Sequence, residues 1–177
     1  MPSIGPHDPK RQNRAPSRQL PRHRARRYTR PMVTRFHAPQ ARDTPTALAE
    51  LRAGRKRSHW IWWIFPQLAS LGRSPRAIDY GLRDLAEARA YLADPLLRAR
   101  LIEAVGAVLA HRGTPPEAIM GAVDALKLRS CATLFEAAAS DPATRAPFTA
   151  LLDGFYGGTR CPLTLAEIAP DRPSPAP

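Results

Sequence analysis

The chain has 177 residues, 44% of them hydrophobic, and a formal net charge of +12. That length and apolar content suit one ordinary domain with a single core, and no run nears the roughly 18 consecutive apolar residues of a membrane span, because the most apolar window, 61–71, is broken by Pro66 and Gln67. Residues 1–30 lack the apolar stretch of a signal peptide, so the expectation is a cytoplasmic protein with no membrane partner whose Cys131 and Cys161 are free thiols.

In chain order, the charge comes first. Residues 1–36 carry ten Lys or Arg against one acid, whereas 37–177 carry 17 against 14, so the body is only about +3. An Arg- and Pro-rich segment with few aliphatic residues cannot bury enough apolar surface to offset the entropy of ordering, which predicts a disordered arm over 1–34. Through phosphate contacts and counterion release, residues 1–36 are a candidate nucleic-acid binder. The alternative is that the chain starts at Met32 and the arm belongs to an upstream start assignment.

From Thr44 onward a small polar residue, a Pro and an apolar period recur, the pattern of helix starts. Thr44 and Pro45 predict a helix through Ala53, closed by Gly54. Ile61 to Phe65 alone has strand-like content. Asp84 with Glu87 is a capping-box pattern, and Asp94 with Pro95 opens the longest predicted segment, where Leu97, Leu101, Val105 and Val108 share one face. Thr114, Pro115 and Glu117 start a short helix ended by Gly121. Asp124 leads a helix carrying Leu126, Ser130, Leu134 and Phe135, and Asp141 with Pro142 begins another that Gly157 and Gly158 stop. The fold class is therefore all-α, a single irregular bundle of short helices over 35–169, followed by a disordered tail, 170–177.

Chemistry is densest where all three tryptophans adjoin Arg55, Lys56, Arg57, Ser58 and His59. At helical spacing Trp60 and Trp63 share a face while Trp62 points elsewhere. Two readings stand: the rings are the packing centre, or an aromatic and cationic groove in which a ring stacks on a flat ligand while Arg57 or Lys56 meets its phosphate or carboxylate. The second candidate is Lys127, Arg129 and Ser130. Lys127 and Ser130 are neighbours on one helical face, suited to holding an anion, with a solvated basic turn and Ser130 bonded back to a helix carbonyl as the alternative. His59, His111, Cys131 and Cys161 are scattered singly, which predicts no metal site. Gly157-Gly158 lacks the pattern of a nucleotide loop, the carboxylates form no acid and base pair, and no cofactor is expected.

The segment from Leu48 to Trp60, then Trp62 and Ile64-Phe65-Pro66-Gln67-Leu68, resembles the domain-of-unknown-function family numbered 1810. Leu71-Gly72-Arg73-Ser74, Ala88 to Leu92, Leu126 to Ser130, Thr133-Leu134-Phe135 and Gly157-Gly158 extend the resemblance over about 35–169. It implies an all-helical fold and no established activity. Some members carry the label calpastatin, but that inhibitor is a disordered repeat protein, unlike this compact helical pattern. The sequence departs from the family in a Pro-interrupted stretch over 35–40, which predicts a broken first helix, and in the Gly121 to Ala125 segment, which lacks the family's polar turn.

The leading functional expectation is a binding module for a small anionic, nucleotide-like ligand, held by Arg57, Ser58, His59, Trp60, Gln67, Lys127, Arg129 and Ser130 on one concave site. The alternatives are an enzyme using His59 as acid or base and nucleic-acid binding through the arm alone.

Overall fold

A computed structural model describes residues 32–169. Most of the expected arm, with its proposed nucleic-acid contacts, and the expected tail lie outside the described residues. The last residues of that arm, from Met32, join Arg35 and Phe36 in a 3-10 turn, Met32–Phe36. Nine α-helices follow among the described residues: α1 His37–Arg52, α2 Ile61–Ile64, α3 Pro75–Asp79, α4 Leu85–Ala93, α5 Pro95–Leu109, α6 Pro116–Met120, α7 Ala122–Ala138, α8 Pro142–Tyr156 and α9 Pro162–Ile168. The fold is all-α. Its only β-type pairing among the described residues is an isolated parallel bridge between Leu68 and Leu82. No helix among the described residues is long and apolar enough to cross a membrane.

Four of the nine helix starts, those of α3, α4, α5 and α8, carry a polar side-chain cap. Asp84 accepts from the Glu87 amide at 2.7 Å, Asp94 from the Leu96 and Leu97 amides at 3.0 and 3.1 Å, and Asp141 from Thr144 at 2.9 Å. Each bond satisfies an amide that has no partner inside its helix. Gly157 closes α8 in the left-handed region, at φ 57°. Ser74 caps α3 in the same way as the aspartates, with Pro75 next.

The reading of the first helix is corrected. α1 is unbroken from His37 to Arg52, with Pro45 inside it rather than at its start. Pro39 falls in the first turn, where no amide bond is lost. Pro45 removes the bond to the Ala41 carbonyl, but both residues lie on the exposed side of the helix, where a lost backbone bond costs less than in the core. Burial of Gln40, Ala47, Leu48 and Leu51 on the other face holds the helix together. Two further differences concern α7. It starts at Ala122, two residues before Asp124, and its 17 residues make it longer than the 15-residue α5. Leu126 is 65% exposed on α7, while Leu134 and Phe135 are buried. The strand-like 61–65 run is the single turn α2 and its C-cap.

The core is built around α5 and α7. On α5, Leu97, Leu101, Val105 and Val108 are all buried, as their spacing predicts. α7 packs on α8, α4, α6 and α9, and α5 on α1, α8 and α4. A chain of rings crosses the centre: Phe36 meets Tyr91 edge-on at 5.1 Å, Tyr91 meets Phe135 at 5.1 Å, and Phe135 stacks on Phe148 at 5.7 Å. Such pairs add to the burial of their area. The 3-10 turn is tied to this core by Arg35, which donates to Glu87 at 2.6 Å and to the Gly81 carbonyl at 2.7 Å. Both cysteines are free thiols, and burial pushes that of Cys131 up.

Candidate functional site

Gly54, at φ +66°, ends α1 by adopting a conformation that side chains disfavour. The chain then folds back over α1, and one carboxylate organises that return. Glu50 Oε2 accepts from the amides of Arg57 (2.8 Å) and Ser58 (3.0 Å) and from the Trp60 indole (2.9 Å), and Oε1 accepts from the Ser58 hydroxyl. Burial alone would raise the Glu50 pKa, but these donors outweigh it and bring it down to about 2. From α1, buried Gln40 donates to the Trp63 carbonyl at 2.7 Å and to the Tyr91 hydroxyl at 2.6 Å, fixing α2 from the other side.

α2 therefore presents its residues in a set order. Ile61, Trp63 and Ile64 are buried, as is Trp60 just before them, and only Trp62 stays half-buried. Trp60 and Trp63 thus belong to the core, and Trp62 is the indole left at the surface. Its Nε1 edge is buried and has no hydrogen-bond partner among the described residues.

Cations gather round these rings. Arg76 of α3 lies over Trp62 with its guanidinium carbon 5.4 Å from the ring centre, and Lys127 Nζ of α7 lies 5.2 Å from it. Lys56 Nζ is 5.0 Å from the Trp60 ring and donates to the Ser58 carbonyl at 2.7 Å. Asp124 joins the two lysines, with Lys56 at 2.7 Å and Lys127 at 2.8 Å. Burial would raise the Asp124 pKa, but its bonds to Lys127 and Lys56 hold it below the usual carboxylate range. With Arg76, Lys56 and Lys127 against Asp124, the group is positive by two charges, next to an indole that water reaches.

The structure divides the expected site. Lys127 reaches the Trp62 face. Ser58, His59 and Trp60 instead line a separate cleft with Asp43 and Thr46, of about 170 Å³, small against the roughly 300–1,000 Å³ of ligand pockets. The Arg57 side chain is exposed, and Gln67 is half-buried with its carbonyl taken by the Leu82 amide at 2.8 Å. Arg129 and Ser130 turn to the C-terminal segment. Arg129 donates to the Thr159 and Arg160 carbonyls, both at 2.9 Å, and buried Ser130 pairs with Thr164 at 2.8 Å. Glu50, Asp124 and Arg76 escaped the sequence reading. Asp124 reads only as the leader of a helix, and Arg76 stands two residues after Ser74 in a Ser-Pro helix start. Among the described residues no cluster of His, Cys, Asp or Glu could hold a metal.

Fold and site together define a small all-α domain that displays one cation-flanked tryptophan. The chain belongs to the family described as a protein of unknown function, DUF1810, whose sequence profile matches residues 31–168. It is similar to the conserved hypothetical protein Rv1873 from Mycobacterium tuberculosis, known from a crystal structure, at 45% identity and a TM-score of 0.73 over 77% of this chain and 95% of that one. A search of the curated proteins finds no match.

Proposed function

We propose that the protein is a binding module for a small anionic ligand and that the Trp62 face is where the ligand sits. The observation that supports this reading is the meeting of Lys127 and Arg76 on the Trp62 ring, with Lys56 joined to Lys127 through Asp124. Lys127 and Asp124 hold each other in place, so the cation is positioned before any ligand arrives. The cleft beside His59 suits an anion less well, because Asp43 lines it and the Glu50 carboxylate, bonded to Ser58, lies close by.

The test is thermal unfolding of the full chain against phosphates, sugar phosphates, nucleotides and small carboxylates. A ligand at 100 times its Kd stabilises the folded state by about 2.7 kcal/mol, which raises the midpoint of a domain this size by several degrees. The shift should shrink in Lys127→Ala, with folding confirmed by circular dichroism. An unchanged midpoint with every anion in the panel overturns the reading.

A further inference from the structure

We propose that the ligand carries a flat aromatic ring as well as its anionic group, and that on binding the ring takes the place of the Arg76 guanidinium on Trp62. The displaced guanidinium then pairs with the anion. This inference rests on the reading just given.

The argument begins with how differently the two cations on Trp62 are held. Lys127 is fixed by Asp124 at 2.8 Å, and Asp124 is itself held by Lys56 at 2.7 Å, with the Lys56 side chain only 7% exposed. Arg76 has no such anchor. It is exposed, it sits on the five-residue α3, and among the described residues the Trp62 ring is its side chain's one partner. An exposed cation–π contact is weak, and a guanidinium on a long stem exchanges quickly. The ring beneath it, by contrast, stands on a packed turn: its neighbours Ile61, Trp63 and Ile64 are buried, and Trp63 packs against it with centroids 6.0 Å apart. A well-packed indole whose cover is easily removed is a stacking platform. A planar heteroaromatic ring gains more contact there than a guanidinium does, and it excludes water from the indole.

The exchange also accounts for the placement of charge. Lys127 Nζ also lies over the indole, 5.2 Å from the ring centre, so an anion carried on a short link from the stacked ring comes within its reach. Arg76, once released, is still tethered beside the ring by α3 and closes on the anion from the other side. The ligand class is therefore an aromatic ring joined by a short link to a phosphate or carboxylate, of which a mononucleotide is the simplest probe.

The experiment is binding of AMP, adenosine, ribose 5-phosphate and inorganic phosphate to the full chain, read by quenching of tryptophan fluorescence and by calorimetry. AMP should bind roughly five- to a hundredfold more tightly than ribose 5-phosphate, the range expected for stacking one base. Trp62→Leu should bring AMP down to the level of ribose 5-phosphate, and Trp62→Phe should keep most of the difference. Arg76→Ala should tighten adenosine, which no longer has to displace the guanidinium, while narrowing the gap between AMP and adenosine. Equal affinity for AMP and ribose 5-phosphate, or AMP binding indifferent to Trp62→Leu, overturns the ring exchange and leaves the anion site standing. If none of the four probes binds, the anionic reading fails and the exchange fails with it.

Discussion

The Trp60 indole donates to Glu50 at 2.9 Å, across ten residues of chain, and the same carboxylate oxygen takes the Arg57 and Ser58 amides. One side chain of α1 thus replaces the backbone partners that an irregular loop lacks. Glu50→Gln keeps the size and one acceptor oxygen but removes the charge. It should destabilise the protein by about 1–2 kcal/mol, since several hydrogen bonds to a charged group become weaker bonds to a neutral one. Urea unfolding followed by tryptophan fluorescence measures this, and a loss below about 0.5 kcal/mol would mean that the loop is held by other contacts.

Acid should act through the same group. In the folded protein the Glu50 pKa is about 2, below the ordinary 4.5, and Asp94 and Asp124 are likewise lowered. Lowered carboxylates bind fewer protons folded than unfolded, so their contribution is complete above about pH 4.5 and is lost as the pH falls toward 2. The unfolding midpoint should therefore drop between pH 4.5 and 2, and more steeply in wild type than in Glu50→Gln. Parallel acid limbs in the two proteins would contradict the assignment.

Asp124 offers a contrast between two lysines. Asp124→Asn leaves the nearly buried Lys56 ammonium without its counter-charge, and removal of one partner from such a pair costs about 2–4 kcal/mol. Lys127 is 22% exposed, so Lys127→Ala should cost less than about 1 kcal/mol. Chemical denaturation of the two variants separates them. Equal losses would show that Lys56 is not held as tightly as its burial indicates.

Arg129→Ala should weaken the C-terminal segment and leave ligand binding alone. Its guanidinium is spent on the Thr159 and Arg160 carbonyls, beyond the end of α8. Loss of these charge-assisted bonds should cost about 1–2 kcal/mol and open 157–161 to limited proteolysis. A variant that cleaves no faster than wild type there, or that loses anion binding while Lys127→Ala keeps it, would return Arg129 to the site.

Local chemistry was legible in the sequence where it acts locally. Asp84, Asp94 and Asp141 cap the helices their spacing announces, because a cap needs only the next three residues. Thr44-Pro45 has the same look and is interior, since burial of Gln40, Leu48 and Leu51 outweighs the one bond that Pro45 removes. The site was legible in part for the same reason. Helical spacing separates Trp62 from Trp60 and Trp63, but no pattern pairs Lys56 with Asp124 or lays Arg76 on Trp62, because those meetings exist only after α3 and α7 have packed beside α2. Arg129 and Ser130 were misleading as a set: their neighbour Lys127 faces the indole, while they face α9 and the turn before it.

Two glycines should respond in opposite directions to one added methyl group. A Cβ on Gly81 would lie 2.3 Å from the Ala69 Cα and 2.7 Å from the Ala77 carbonyl oxygen. Both are backbone atoms, and the Gly81 carbonyl also receives Arg35, so the strain would spread into the N-terminal turn. Gly81→Ala should lose about 2–3 kcal/mol, as overpacking does when nothing flexible can yield. Gly106 lies inside α5, exposed, with nothing within 4 Å of the added carbon beyond its chain neighbours and the backbone of its own helix. There the methyl group removes unfolded-state freedom and meets nothing, so Gly106→Ala should gain about 0.5–1 kcal/mol. Thermal unfolding of both variants decides the matter: a neutral Gly81→Ala would mean that the 69–81 loop yields where its backbone contacts say it cannot, and a destabilised Gly106→Ala would mean that the exposed face of α5 is covered in solution.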